Sequence, residues 1–173
     1  MDNFIYKAEK ALNIKQCSTL IDLFKDEKSQ LSIHRGPNNR YNKITGNFSY
    51  EALTLDATRS FFTNILASHL NEYVQRYKFL NTCPFRLSQN CNLQKYQPGE
   101  SFSKEHCEND GSPGSPLRRN LAWMFYLNDI KFNGGTCFPS QDLILLPRAG
   151  DLYIWPAYWT HSHYGISAER EVK

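Results

Sequence analysis

The segment NLAWMFYLNDIKFNGGTCFPSQDLILLPRAGDLYIWPAYWTHSH, residues 120–163, decides the fold of this 173-residue chain. It holds three short apolar runs, at residues 121–127, 142–146 and 151–155, and Gly or Pro residues lie between or after them. Short apolar runs at this spacing are typical of strands in a sandwich or barrel, because Gly and Pro mark the points where the chain reverses. The segment therefore predicts a β core.

The N-terminal half has a different period. Apolar residues recur every three or four positions over residues 13–28 and 49–77, which predicts two amphipathic helices. The Gly-, Asn- and Arg-rich residues 34–47 predict a loop, and residues 85–95 a strand. Helices followed by strands indicate an α+β fold with a mainly β core, in which the helices buttress one face of a double-sheet jelly roll.

The composition fits one folded domain. Apolar residues make up 40% of the chain, and the net charge of +3 includes no dense Lys/Arg run, so charge gives no support for nucleic-acid binding. The five cysteines form no CxxC pair, and we expect reduced thiols in a cytoplasmic protein. Because the chain shows no signal-peptide pattern and no apolar run of membrane-spanning length, we expect no membrane partner.

Two histidines and a glutamate predict a metal site. His106 and Glu108 are two residues apart, so on an extended segment their side chains point to the same side. A third nitrogen, from His161 or His163, would complete a two-histidine, one-carboxylate triad that leaves three positions of an octahedral iron open. This set suits non-haem Fe(II) better than structural zinc, which closes its coordination shell and prefers more thiolates.

Several short motifs occur in the order in which a known family has them. They are YQPG (96–99), HCE (106–108), WMFYLND (123–129), GGTCF (134–138), PRAG (147–150) and residues 163–173. On these motifs the chain resembles the prolyl-4-hydroxylase-like Fe(II)/2-oxoglutarate-dependent dioxygenases, and it is most similar to the small single-domain members of bacteria and their viruses. The resemblance implies one domain, residues 1–173. Within it, residues 1–80 are a helical support region, and residues 83–173 form a cupin-like double-stranded β-helix with iron near one mouth.

The resemblance also implies the ligands of the iron and of its co-substrate. It places the metal ligands at His106, Glu108 and His163, although many members have Asp where this chain has Glu108. His163 precedes Lys173 by ten positions, which is about the family's spacing between the distal histidine and the basic residue that binds the far carboxylate of 2-oxoglutarate. His161 is then a residue that supports the metal ligands or faces the substrate, or else it is the alternative ligand.

Aromatic and loop residues complete the implied site. The resemblance puts Tyr96 and Tyr126 beside the co-substrate, although core packing is an equal alternative for Tyr126. We expect Trp155 and Trp159 in the wall of the β structure. The Gly-, Ser- and Pro-rich loop 109–116 is expected to be a lid or a plain surface loop. Candidate residues on the substrate side are Arg35, Arg40 and Tyr41.

The family's reaction requires Fe(II), 2-oxoglutarate and O2, with ascorbate as a candidate supporting reductant. It couples oxidative decarboxylation of 2-oxoglutarate, which yields succinate and CO2, to hydroxylation of a C–H bond. The resemblance therefore implies a hydroxylase, with a peptidyl proline as the expected substrate. The alternatives are hydroxylation or oxidative demethylation of a nucleobase or small molecule, and a catalytically idle metal-binding scaffold.

Two further expectations come from the resemblance. Family members usually continue into a final strand after the position of Lys173, so either the sequence is truncated or its β structure closes differently. The cytoplasm in which we expect the protein would be that of the host if the source is a virus.

Overall fold

The computed structural model describes residues 2–22, 31–35, 42–49, 61–83, 90–111 and 119–173. Within these residues, two α-helices, α1 (Ile14–Ile21) and α2 (Phe61–Arg76), lie in the N-terminal half. The described strands are β1 (Tyr6–Ala8), β2 (Leu31–Arg35), β3 (Asn42–Ser49), β4 (Asn90–Lys95), β5 (Leu121–Phe125), β6 (Thr136–Phe138), β7 (Leu143–Leu145), β8 (Leu152–Pro156) and β9 (Tyr164–Gly165). Short 3-10 helices occupy Lys78–Thr82, Pro139–Gln141 and Trp159–His161.

The sheet that β1, β8 and β5 form in this order is antiparallel, with β8 at its centre. Because side chains alternate across a strand, β8 supplies two hydrophobic clusters. Leu152 and Ile154 belong to the cluster on the outer face, and Tyr153 and Trp155 belong to the cluster on the inner face. All four side chains are buried, so both faces of this strand are covered.

The two helices cover the outer face of this sheet. Leu152 and Ile154 pack there with buried residues of both helices, namely Cys17, Leu20, Phe62, Leu66 and Tyr73. Complete burial of an aliphatic side chain contributes about 1.5–3 kcal/mol, so this contact is a large part of the folding free energy. The predicted buttressing of the β structure by helices is confirmed for the described residues.

The start of α1 is encoded locally. The Asn13 side chain accepts a hydrogen bond from the Gln16 backbone N–H, and the Gln16 side chain accepts one from the Asn13 N–H, each at 2.9 Å. This capping box satisfies two amide groups that a helix start would otherwise leave without partners. The predicted helix 13–28 agrees with α1, and residues 23–30 lie outside the described residues.

The second predicted helix, 49–77, starts too early. Its C-terminal part agrees with α2, but residue 49 ends β3, and residues 50–60 lie outside the described residues. In the described part of the chain, neither helix combines the length and the apolar character that a membrane crossing needs.

The loop predicted at residues 34–47 is wrong where the structure describes it. β2 and β3 pair antiparallel, and β3 also pairs with β4, so β3 is the centre of a second sheet. A polar sequence with Gly and Asn has low strand propensity, but backbone pairing on both edges outweighs that preference. The third sheet has the order β7-β6-β9.

The predicted combination of helices and antiparallel sheets is therefore confirmed. Among the described strands, hydrogen bonds connect three separate three-stranded sheets rather than one closed structure. A closed double-stranded β-helix is thus not directly visible in the strand pairing.

A tight turn fixes the start of β8. Gly150 has φ +89°, and a Cβ at this position would collide with the Leu12 carbonyl oxygen, so the PRAG turn requires glycine here. The Gly150 N–H donates to the Tyr126 carbonyl (2.7 Å), and its own carbonyl accepts from the Leu12 N–H (3.1 Å). The turn thereby connects β8 to Tyr126, which lies on the inner face.

Candidate metal centre and lysine cluster

Two segments distant in sequence bring His106 and His163 together. They form an antiparallel bridge in which His106 N–H donates to the His163 carbonyl (3.0 Å) and His163 N–H donates to the His106 carbonyl (2.8 Å). Glu108 lies two residues beyond His106, with its Oε1 3.4 Å from His163 Nε2. Ligand-capable atoms of the three residues all lie within 4.8 Å of one another. We call these residues the His-Glu-His cluster.

Backbone carbonyls orient both imidazoles. His106 Nδ1 is 2.9 Å from the Lys104 carbonyl oxygen, and His163 Nδ1 is 3.0 Å from the His161 carbonyl oxygen. Since a carbonyl can only accept, Nδ1 carries the proton in both rings, and in the neutral form the lone pair is on Nε2. Metal-binding histidines in proteins are commonly oriented in this way.

Aromatic rings enclose His163, which is 6% exposed. Its ring stacks on Phe138 at 5.0 Å between centroids and meets the edge of Trp155 at 5.3 Å. Burial lowers the pKa of His163, but the hydrogen bond and Coulomb attraction of Glu108 and the bond to the His161 carbonyl raise it. The net result is a pKa above the ordinary value for histidine. Glu108 therefore favours a positive charge at this site, carried either by protonated His163 or by a metal ion.

His161, the alternative ligand, has its ring outside this cluster. Its Nε2 donates to the Asn3 carbonyl at 2.9 Å, so its Nδ1 accepts from the Thr160 hydroxyl at 3.0 Å in the neutral form. Both ring nitrogens are thus engaged away from the cluster. The His161 backbone nevertheless contributes, because its carbonyl accepts the His163 Nδ1–H.

A second group of predicted residues meets at the chain's last residues. Lys173 and Tyr96 exchange backbone hydrogen bonds of 2.7 and 2.9 Å. The Lys173 Nζ lies 5.8 Å from the ring centres of both Tyr96 and Tyr126 and donates to the Gly135 carbonyl at 3.2 Å. We call Lys173, Tyr96 and Tyr126 the lysine cluster.

The Lys173 ammonium is desolvated. Lys173 as a whole residue is partly exposed, but its Nζ lies against two tyrosines that are 6% and 4% exposed. Burial lowers the pKa of Lys173 to about 8. No Asp or Glu side chain of the described residues lies within ion-pair distance of Nζ. A desolvated cation without a carboxylate is the setting that a bound anion would complete.

The tyrosine hydroxyls already have partners. Tyr126 shares a 2.7 Å hydrogen bond with the Thr136 hydroxyl, and Tyr96 donates to Gln94 Oε1 at 2.7 Å. Burial raises the pKa of both tyrosines, which keeps them neutral. The two phenols therefore contribute ring faces to the lysine cluster and polar hydroxyls held in fixed positions.

Other predicted residues lie outside the two clusters or outside the described residues. Arg35 ends β2, where side chains are not described, and Arg40 and Tyr41 lie outside the described residues, as do residues 112–116 of the loop predicted at 109–116. Trp155 is buried as expected for a wall residue, but Trp159 is 77% exposed, so its assignment to the wall is wrong.

The sequence interpretation did not give roles to Gly135, Thr136 and Phe138. All three belong to the GGTCF motif, and they contact Lys173, Tyr126 and His163, respectively. The motif could have pointed to these residues, because it is one of the motifs on which the resemblance rests. The contacts that each residue makes are visible only in the folded structure.

The donor set of the His-Glu-His cluster fits a divalent transition metal. Two imidazoles presenting Nε2 and one carboxylate are the ligands that non-haem Fe(II) takes, and three protein ligands leave positions for other molecules. The residues present therefore fit an iron ion, and the lysine cluster fits a carboxylate.

Comparison with known proteins shows similarity at the level of the fold. No protein-family model and no curated protein match the sequence. Among solved structures, the viral collagen prolyl hydroxylase of Paramecium bursaria Chlorella virus-1 in its 2-oxoglutarate complex is similar, with a TM-score of 0.63 and 16% identity, over 98% of this chain and 91% of that one. The Pseudomonas putida prolyl-4-hydroxylase gives a TM-score of 0.64 at 14% identity, over 98% and 87% of the two chains.

A third similar structure is the Trichoplax adhaerens prolyl hydroxylase in complex with a peptide fragment of the hypoxia inducible factor oxygen degradation domain. Its TM-score is 0.63 at 14% identity, over 97% of this chain and 79% of that one. The similarity extends over nearly the whole of this chain in each case. Sequence identities this low indicate a shared fold and nothing more. The chain thus has the fold of the prolyl hydroxylases, as the sequence motifs implied.

Proposed function

We propose that this protein is an Fe(II)- and 2-oxoglutarate-dependent dioxygenase that hydroxylates a C–H bond of its substrate. The observation that carries the proposal is the joint presence of the His-Glu-His cluster and the lysine cluster around one inner hydrophobic face. The first cluster suits a metal ion, and the second suits a carboxylate. A single domain, residues 1–173, with a jelly-roll β core is part of the same proposal.

Each cluster has a defined task in this proposal. His106, Glu108 and His163 hold Fe(II), which, together with 2-oxoglutarate and O2, supplies the oxidant for C–H hydroxylation with release of succinate and CO2. Lys173 binds the far carboxylate of 2-oxoglutarate by a charge-assisted hydrogen bond. The buried rings of Tyr96 and Tyr126 exclude water from that bond, which strengthens it.

The proposed substrate is a peptidyl proline. Prolyl hydroxylases are among the proteins with a similar fold, and the structure of the Trichoplax enzyme contains a bound peptide fragment. Incubating the iron-loaded protein with proline-containing peptides tests this part: a product heavier by one oxygen atom, formed together with succinate, is expected. Succinate formation without a modified peptide would contradict the proline assignment but not the oxygenase.

The test of the oxygenase is an anaerobic titration with Fe(II) and 2-oxoglutarate. A keto acid that chelates iron gives a visible charge-transfer band, and we expect this band in the wild-type protein. His163→Ala should abolish it, because the cluster loses one of its two imidazoles. His161→Ala is the matched control and should retain the band at saturating iron.

Two results would count against this proposal. No band in the wild-type protein would contradict the dioxygenase. A band lost in His161→Ala and retained in His163→Ala would move the distal ligand to His161.

A further inference from the structure

Trp155 carries a buried donor for which the described part of the chain offers no acceptor. Its side chain lies on the inner face of β8 and is 3% exposed. Among the described residues, no acceptor lies within hydrogen-bond distance of its Nε1–H. A buried indole N–H normally has a partner, because leaving a desolvated donor without one costs free energy.

The neighbours of Trp155 explain this absence. Its ring meets Phe138 edge to face at 5.4 Å and His163 edge to face at 5.3 Å. The Phe138 ring has no acceptor atom, His163 Nδ1 is the donor to the His161 carbonyl, and His163 Nε2 lies 3.4 Å from Glu108 Oε1. Trp155 belongs to the hydrophobic cluster of the inner face, and Ala122 lies directly opposite it in β5.

Trp155 also lies along the line of contacts that joins the two clusters. From the lysine end, the Lys173 Nζ is 5.8 Å from the Tyr126 ring centre, and Tyr126 meets Tyr153 at 5.9 Å. Tyr153 and Trp155 share the inner face of β8, and Trp155 meets His163. A molecule that spans from Lys173 to the His-Glu-His cluster therefore passes over this face.

We propose that Trp155 is a binding residue for the co-substrate, and that its indole N–H donates a hydrogen bond to the oxygen-rich end of 2-oxoglutarate nearest His163. This inference rests on the proposed function. Lys173 then binds one end of the dicarboxylate and Trp155 binds the other, so that the ligand binds in a single orientation. The ligand oxygen supplies the acceptor that the described residues do not.

The first test measures 2-oxoglutarate affinity by anaerobic calorimetry, with Zn(II) as a redox-inert substitute for iron. Trp155→Phe removes the N–H and keeps an aromatic ring, so we expect the dissociation constant to rise about tenfold, the lower end of the cost of losing one hydrogen bond to a charged group. The Zn(II) affinity should not change. Trp123→Phe is the matched control: Trp123 packs against Phe62 on the outer face of the same sheet, and its replacement should leave both affinities unchanged.

The second test measures ligand binding in the wild-type protein, whose packing is unaltered, and uses variants only to assign resonances. The chain has three tryptophans, so 15N-labelled wild-type protein gives three indole N–H resonances, which the Trp155→Phe and Trp123→Phe variants assign. On saturation of the Zn(II) protein with 2-oxoglutarate, we expect the Trp155 resonance to move downfield and to exchange more slowly with solvent. The resonances of Trp123 and of the exposed Trp159 should move little.

Failure of this inference can be told from failure of the proposed function. If wild-type protein binds 2-oxoglutarate but Trp155→Phe binds it equally well, or the Trp155 resonance does not move, the role of Trp155 is wrong and the oxygenase stands. Loss of Zn(II) affinity in Trp155→Phe would overturn the inference too, because the residue would then act by packing on His163. No binding of 2-oxoglutarate to the wild-type Zn(II) protein would overturn both.

Discussion

The His-Glu-His cluster and the lysine cluster flank the same inner face but are organised by opposite rules. In the first, protein groups position one another: Glu108 Oε1 lies 3.4 Å from His163 Nε2, and carbonyls orient both imidazoles through Nδ1. In the second, Lys173 keeps its ammonium against two aromatic rings and one carbonyl oxygen. One cluster is ordered before a ligand arrives, whereas the other holds a charge that only an anion can balance. A ligand with a chelating end and a free carboxylate would complete both.

The largest expected effect is the loss of metal affinity in Glu108→Gln. The substitution keeps the shape of the side chain but removes the only acidic group of the cluster, and we expect the affinity for Mn(II) or Zn(II) to fall by at least about a hundredfold. It should also lower the pKa of His163, because burial then acts without the opposing attraction of Glu108. Calorimetry and NMR titration of the His163 ring measure the two effects.

Glu105→Gln is the control for this experiment. Glu105 is exposed, and its carboxylate accepts a hydrogen bond from the Ser162 hydroxyl at 2.6 Å. It lies close in sequence to the cluster but is not one of its three residues. Equal metal affinities of Glu108→Gln and the wild-type protein would show that Glu108 is not a ligand.

The next effect separates the two clusters. Lys173→Met should weaken 2-oxoglutarate binding by about a hundredfold, since a hydrogen bond between charged groups contributes roughly 1.5–3 kcal/mol. Metal affinity should remain that of the wild-type protein. Lys131→Met, at an exposed lysine, is the control. If Lys173→Met loses metal affinity instead, the two clusters do not act independently, and they are not organised by opposite rules.

A pH titration tests the charge on Lys173 without changing its shape. Burial lowers the pKa of this lysine to about 8, so the ammonium loses its proton as the pH rises through that value. An anion binds the protonated form better, and the affinity for 2-oxoglutarate should therefore be constant below pH 8 and fall above it, by at most about tenfold per pH unit. Calorimetry at several pH values between 7 and 10 measures this change in 2-oxoglutarate affinity.

Lys173→Arg is the control for the pH dependence. Arginine stays charged throughout this range, so any binding that it retains should not fall above pH 8. The apo protein gives an independent check with the opposite sign. A cation whose pKa is lowered by folding destabilises the folded state below pH 8, and this cost disappears as the pH rises towards the ordinary lysine pKa.

Local signals in the sequence were sufficient for part of this structure. The apolar runs at 121–127, 142–146 and 151–155 agree with β5, β7 and β8, because chain reversals at Gly and Pro divide them. The hairpin of β2 and β3 was missed, since its stability comes from pairing with neighbours rather than from strand-forming residues.

The site shows the same division between local and distant information. The two-residue spacing of His106 and Glu108 was readable, and the choice of His163 over His161 required the family's spacing to Lys173. Three features depend on contacts between distant segments: the bridge that joins His106 to His163, the stacking of Phe138 on His163, and the lack of an acceptor at Trp155 among the described residues. No residue pattern within one segment contains that information, so only the folded structure could supply it.

The smallest effect concerns His161, whose ring lies outside the cluster while its carbonyl orients His163. The Asn3 carbonyl holds the His161 ring through Nε2–H, and this contact fixes the peptide that accepts the His163 Nδ1–H. His161→Leu removes the anchor, and we expect metal affinity to fall about tenfold, the lower end of the effect of residues that orient a ligand. His161→Gln can still donate to the Asn3 carbonyl and should recover most of the affinity. If both variants lose the charge-transfer band at saturating iron, His161 is itself a ligand; if neither changes metal affinity, the imidazole of His163 needs no support from this side, and its stacking on Phe138 is sufficient to orient it.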